Sequence, residues 1–301
     1  TIYQITRKRT GETKMSIDLD SEIEDLQKKF GIVGRRKELR QLILARMAGK
    51  HAIIEGPVGV GKTTLAHAVA EYFDQDFVRI DGDERYTEAK LVGHFEPPIV
   101  IDKGWTWDAF VPGPLTMSMK KGSVLFINEA NRLVEGTQNV LLPALDEGII
   151  IIPKIGVVRA EKGFFVVATQ NPESYIGTTV LSEALKDRFV WVRLDYQDEE
   201  EEFNIVAQRG ADQFPEKPQN RRIFELAVRI ARTTREHPDL NRGASIRGAI
   251  DLAQILLLTQ SITLQNVTEV AIMTLATKID LMDGVERSVE KVIEEIVKDC
   301  L

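Results

Sequence analysis

One stretch restricts this chain more than any other: Gly56-Pro57-Val58-Gly59-Val60-Gly61-Lys62-Thr63-Thr64, which satisfies the pattern G-x-x-x-x-G-K-[ST]. The pattern has physical meaning only where a strand ends and a helix begins. His51 to Glu55 reads as that strand and Lys62 to Phe73 as that helix. In such a setting the glycines let backbone N–H groups turn inward around a phosphate, and the helix adds the positive end of its dipole. Lys62 then reaches the β- and γ-phosphates of a nucleotide, and the Thr63 hydroxyl holds Mg²⁺.

The rest of the chain is organised around that turn. Phe77 to Asp81, Val124 to Asn128, Phe164 to Thr169 and Val190 to Leu194 read as further strands, separated by helical patterns such as Gln138 to Leu145. Strands alternating with helices predict a parallel sheet covered on both faces. Two helices precede it, from Asp18 to Phe30 and from Arg36 to Met47, joined by a loop with Gly31 and Gly34. After about Asp198 the texture changes: 203–209, 222–233, 245–259 and 267–279 are helical in period and no strand remains. The expected division is an α/β nucleotide-binding domain over 18–198 and an all-helical domain over 199–301. Thr1 to Lys14 is polar, basic and patternless, and Met15 would make a natural start, so this segment is left out of the fold.

Two polar clusters end apolar strands, a third precedes the last strand and a fourth opens a helix of the C-terminal region. Val124-Leu125-Phe126-Ile127-Asn128-Glu129 puts an amide and a carboxylate at a strand end, expected beside the first strand. Glu129 suits orienting or deprotonating the attacking water. Asn128 can accept from a metal-bound water, but it brings no charge. Asn171, in Thr169-Gln170-Asn171-Pro172, suits positioning that water from the opposite side. Arg188, in Leu185-Lys186-Asp187-Arg188-Phe189, is placed to reach towards a neighbouring subunit's γ-phosphate. Arg247, in the first turn after the cap residue Ser245, would sense the γ-phosphate from its own subunit or from the next.

Composition excludes some classes. The single cysteine, Cys300, permits neither an internal disulfide nor a Cys-rich metal site. The histidines, His51, His67, His94 and His237, have no partner at metal-ligand spacing and read as structural or surface residues. A net charge of −7 disfavours non-specific contact with nucleic-acid phosphates. No apolar run is long enough to span a bilayer, and a cytoplasmic address follows by default.

In order and spacing these motifs resemble the AAA+ superfamily. The segments Asn128-Glu129-Ala130-Asn131-Arg132, Leu142 to Gly148, Ala168 to Pro172, Asp187-Arg188-Phe189 and Gly243-Ala244-Ser245-Ile246-Arg247 resemble its MoxR family. The resemblance covers about Gly31 to Leu281 and departs at Asn128, where the family carries Asp. It implies an ATPase that binds ATP and Mg²⁺ and assembles into a hexameric ring. It further implies chaperone-like remodelling of a protein client, often beside a protein with a von Willebrand factor A domain. It also implies an insert, here Gly93 to Leu115, in which Ile99 to Ile101 and Trp105 to Trp107 are expected to pair as a hairpin. A second hairpin is expected over 149–163, and such loops face the ring's channel. Two alternatives stay open. A nucleic-acid motor would use Lys103, Lys154 and Arg159. A slowly hydrolysing assembly switch would follow from the missing charge at Asn128.

Overall fold

The computed structural model describes residues 19–171, 181–211, 218–259 and 262–301; the amino-terminal segment 1–14 and Pro172 lie outside them. In chain order, helices α1 (Leu19–Phe30) and α2 (Arg36–Met47) precede strand β1 (His51–Glu55), helix α3 (Lys62–Tyr72) and strand β2 (Phe77–Asp81). Next come α4 (Glu88–Val92), β3 (Gly93–Phe95), α5 (Pro97–Lys103), β4 (Phe110–Pro112) and α6 (Pro114–Lys121). Strand β5 (Val124–Asn128), helix α7 (Glu135–Asp146), β6 (Ile149–Ile152), β7 (Gly156–Arg159) and β8 (Phe165–Gln170) lead to α8 (Glu183–Lys186) and β9 (Phe189–Arg193). The C-terminal region holds α9 (Glu199–Ala211), α10 (Pro218–Glu236), β10 (Leu240–Arg242), α11 (Ile246–Leu258), α12 (Leu264–Leu275), β11 (Asp280–Leu281) and α13 (Val289–Cys300).

The expected five strands form one parallel sheet in the order β2-β5-β8-β1-β9. Its middle strands are apolar without interruption, and Val124 to Ile127 and Phe165 to Ala168 are buried along their length. A strand buried on both faces needs no polar alternation. On one face, Ile54, Phe126 and Val167 pack with Leu39 and Leu42 of α2 and Leu65 and Val69 of α3. On the other, Ile53, Leu125 and Val166 pack with Leu115, Met119 and Leu141. One expectation is corrected here: β5 is not beside β1. Strand β8 lies between them, so the carboxyl end of β8 fills the space between the phosphate-type turn and the end of β5.

The insert is also corrected. Its hairpin pairs β3 with β4, Gly93 opposite Pro112 and Phe95 opposite Phe110. Ile99 to Ile101 belong to helix α5, because Pro97 and Pro98 occupy the first helical positions, where a missing N–H costs nothing. Trp105 and Trp107 pack edge-on against Phe95 and Phe110 instead of pairing as a strand. The second hairpin, β6 with β7, forms within its expected range.

The C-terminal region is helical, with a short antiparallel pair, β10 with β11, where the sequence pattern predicts no strand. Its last helix, α13, lies beyond the helical patterns named from the sequence; it buries Val292, Ile293, Ile296, Val297 and Cys300 at helical spacing. The acidic run from Asp198 does start a helix: the Asp198 carboxylate accepts the Glu201 N–H at 2.8 Å. His51 is buried, and its Nδ1 accepts the Val166 N–H at 2.9 Å, as a structural histidine would. His67 lies edge-on between Phe30 and Phe77.

Candidate functional site

The turn after β1 leaves the sheet through two glycines in left-handed backbone, Gly59 at φ 85° and Gly61 at φ 91°. Side chains disfavour that conformation, so the pattern's glycines are the residues that can make this loop. The loop curls over its own lysine. Lys62 Nζ donates to the carbonyls of Gly56 (2.5 Å) and Pro57 (2.9 Å) and to Asn171 Oδ1 (2.8 Å). The Lys62 ammonium is lowered to about 8, chiefly by burial, with Glu129 raising it and Arg247 lowering it.

At the end of β5, Glu129 sits in left-handed backbone at φ 52°. Its N–H donates to Thr169 Oγ1 at 2.9 Å, and its carboxylate accepts from Arg132 Nη1 at 2.9 Å. Thr169 in turn donates its hydroxyl to Asn128 Oδ1 at 3.1 Å. The ends of β5 and β8 are therefore tied together through Thr169, and Asn128, Glu129 and, two residues beyond Thr169, Asn171 form a shelf along the cleft.

The C-terminal region closes the other side. Ala244 is pinned to α10 twice: its N–H donates to Thr234 Oγ1 (2.8 Å) and its carbonyl accepts from Arg235 Nε (2.7 Å). This aims the start of α11, with Arg247, at the loop. A cleft of about 430 Å³ results, lined by Val58 to Thr64 of the loop, the shelf residues Asn128, Glu129 and Asn171, and Arg247. Arg247 thus faces the cleft of its own chain. Arg188 does not: its Nε donates to Asp146 Oδ2 at 2.7 Å and its Nη1 to the Ala184 carbonyl at 2.5 Å.

Sequence reading misses part of the lining. Gly31, Ile32, Val33 and Arg35 form one wall, and Arg79 of β2 and Gln197 contribute as well. The Gly31 and Gly34 loop is visible in the sequence as a turn, yet nothing in its spacing connects it to a turn 25 residues later. Arg79 reads as an ordinary polar position on a strand.

The donor set suits an anion with a hard cation. Inward-turned backbone, Lys62 and Arg247 offer positive charge to phosphate. Thr63 and Asn128 offer hard oxygens, and the described residues contain no cluster of three His, Cys, Asp or Glu that would cage a metal alone. A cation held by few protein oxygens, with phosphates and water completing its shell, is what Mg²⁺ prefers. Thr63 and Asn128 are the cleft residues that would hold it. No helix among the described residues is long and apolar enough to cross a membrane.

The chain is similar to known proteins in family and in fold. The profile of the AAA domain (dynein-related subfamily) matches residues 51–189. The gas vesicle ATPase GvpN of Haloferax mediterranei is 31% identical over 265 residues, covering 80% of this chain and 74% of that protein. The uncharacterized YeaC of Bacillus subtilis is 31% identical over 243 residues, covering 73% of this chain and 72% of that one. In fold, a solved protein of Cytophaga hutchinsonii superposes with a TM-score of 0.51 at 22% identity, covering 93% of this chain and 94% of that one. NtrX of Brucella abortus, solved in complex with ADP, gives 0.52 at 19% identity, covering 80% and 55%.

Proposed function

Because the chain belongs to the MoxR-like AAA+ ATPases, we propose that it binds Mg-ATP in this cleft, assembles into a ring and couples hydrolysis to remodelling of a protein client. The observation that carries the reading is the convergence of Lys62, Asn171, Glu129 and Arg247 on one cleft, with Arg188 on a different surface.

Mg-ATP supplies an electrophilic γ-phosphorus and a cation that offsets charge on its oxygens. Lys62 holds the phosphoryl oxygens, and Thr63 and Asn128 face the cation. Glu129 turns from Arg132 to orient a water and accept its proton. Asn171 fixes the water's position from the β8 side. Arg247 stabilises charge on the transferring group from the lid, residues 199–301, closing on the core, residues 18–198. Arg188 reaches a neighbour's cleft from outside, where such a residue contributes about 10³–10⁵-fold in rate. A ring of six subunits provides that neighbour.

The exposed loops support a polypeptide client over a nucleic acid. Ile151 and Val157 of the β6–β7 hairpin and Ile101, Trp105 and Trp107 of the insert turn large apolar side chains outward; Ile101 is 87% exposed. Of the three cations a nucleic-acid motor would use, Lys103 is paired with Asp108 at 3.4 Å, while Lys154 and Arg159 of the hairpin are exposed. Facing the channel of a ring, such exposed apolar side chains would hold the apolar residues of an unfolded chain. A partner with a von Willebrand factor A domain and a cytoplasmic address complete the proposal.

The test is ATP turnover per subunit against protein concentration, with Lys62→Ala as the blank. Turnover that rises with concentration and then levels off is expected. Turnover that is independent of concentration would overturn the shared-site reading.

A further inference from the structure

Strands β2 and β5 end together. Asp81 is the register partner of Asn128, and the next residue, Gly82, donates its N–H to the Asn128 carbonyl at 2.7 Å. A Cβ at Gly82 would collide with the Glu129 carbonyl oxygen, so the two strand ends approach as closely as glycine permits. At this locked junction the Asn128 Nδ2 donates to Asp81 Oδ1 at 2.8 Å.

The amide is oriented from both sides. Its Oδ1 accepts the Thr169 hydroxyl, which itself accepts the Glu129 N–H. Reversing the amide would place its oxygen against the Asp81 carboxylate. Arg79, which lines the cleft, clamps the same carboxylate through Nη2 at 2.6 Å and Nε at 3.2 Å. Those hydrogen bonds hold the Asp81 carboxyl below its usual range, with slight burial working against them. The carboxylate nevertheless stays open to water, with its side chain 59% exposed.

Asp81 also lies on the face of the sheet that carries the phosphate helix. Phe77 stacks on Phe126 and meets His67 of α3 at 4.9 Å. One helical turn before His67 is Thr63, about 6 Å up the axis. Two residues beyond Phe77 is Arg79, about 6.6 Å up the strand in the same direction. The end of β2 therefore rises beside the first turn of α3.

We propose that the carboxylate of the Mg²⁺ shell has moved one strand outward in this chain: Asp81, across from Asn128, accepts hydrogen bonds from metal-bound water. This rests on the Mg-nucleotide reading of the cleft. The missing charge at position 128 is then an exchange and not a loss. A carboxylate at 128 would face Asp81 as a like charge and would lack the N–H that Asn128 donates to it. Asn128 is the residue that holds a single carboxylate at 81 in place.

The experiment is titration of a fluorescent ADP analogue in EDTA and in Mg²⁺, with Mn²⁺ paramagnetic resonance to count bound metal. The reading is the gain in nucleotide affinity produced by the metal, with EDTA as each variant's own reference. A coupled pair of ligands should give wild type a gain of about 5–150-fold. Asp81→Asn should lose most of that gain, and Asn128→Asp alone should not increase it. The exchanged double variant, Asp81→Asn with Asn128→Asp, should recover it. Thermal melting checks that each variant folds, and recovery in the double variant keeps the test decisive if Asp81→Asn is unstable. Retention of the full metal gain in Asp81→Asn, or a larger gain in Asn128→Asp, would overturn the proposal. Wild type that binds no nucleotide in either buffer would instead overturn the reading beneath it.

Discussion

Lys62 Nζ and Asn171 Oδ1 lie 2.8 Å apart across a sequence separation of 109 residues. The lysine of the loop and the end of β8 therefore act as one unit, and β8 can deliver Asn171 only because it lies between β1 and β5. Asn171→Ala should cut turnover by about 10²-fold, the scale for loss of one preorganised polar group at a reacting phosphoryl or acyl centre. Steady-state turnover beside nucleotide titration checks this. Equal losses in turnover and binding would mean that Asn171 serves the lysine alone.

The lowered Lys62 has a pH signature. Between its folded value of about 8 and its ordinary 10.5, the unfolded chain carries a proton that the folded chain lacks. Stability contributed by this group therefore rises as pH rises through that window. Phosphate beside Lys62 favours the ammonium, so nucleotide binding above about pH 8 should take up a proton. Calorimetry in two buffers of different ionisation enthalpy should detect that uptake near pH 9 and none near pH 7. Lys62→Met should abolish it. Uptake that persists in Lys62→Met would assign the proton to another group.

Gly59 couples the loop to the lid. A Cβ there would meet Ser245 Cβ and Oγ at 2.9 Å, at a φ of 85° that side chains disfavour. Gly59→Ala should weaken nucleotide binding by straining the loop, at a cost of about 1–2 kcal/mol, and by pushing the lid away. Ser245→Gly in the Gly59→Ala background should restore part of the affinity. No restoration would locate the whole effect in the backbone.

Glu202 anchors the lid. Its side chain is 1% exposed and is paired with Arg235 at 2.5 Å and Arg232 at 3.5 Å. Arg235 also stacks on Tyr196 at 3.8 Å and holds the Ala244 carbonyl that aims α11. Glu202→Ala leaves the partly buried guanidiniums of Arg235 and Arg232 without their carboxylate and should cost about 1–3 kcal/mol in chemical denaturation. A loss under 1 kcal/mol would show that water replaces the carboxylate and that the lid does not depend on it.

Much of this fold and site is legible in the amino-acid sequence. The turn at 56–64 can be read because its glycines, lysine and threonine have fixed spacing, and the five strands because their apolar runs end at polar residues. Long-range pairing is not legible. That β8 separates β5 from β1 is a fact of topology, and no local pattern at Val124 or Phe165 encodes it. Asp81 and Arg79 read as polar positions on a strand, and only register sets Asp81 against Asn128. The insert misleads because Ile99 to Ile101 are rich in β-branched residues, whereas Pro97 and Pro98 start a helix there. The short β10–β11 pair escapes notice because three residues and two residues carry no period.

The central claim is that the active site is shared between subunits, and the most direct test mixes two inactive proteins. Arg188→Ala keeps an intact cleft, and Lys62→Ala keeps an intact Arg188. Each alone should turn over ATP at background, and the mixture should exceed the sum of the two. Such recovery requires Arg188 of one subunit to serve the cleft of another. A mixture no better than its components, or Arg188→Ala alone as fast as wild type, would contradict the account: Arg188 would then be a structural partner of Asp146 and nothing more.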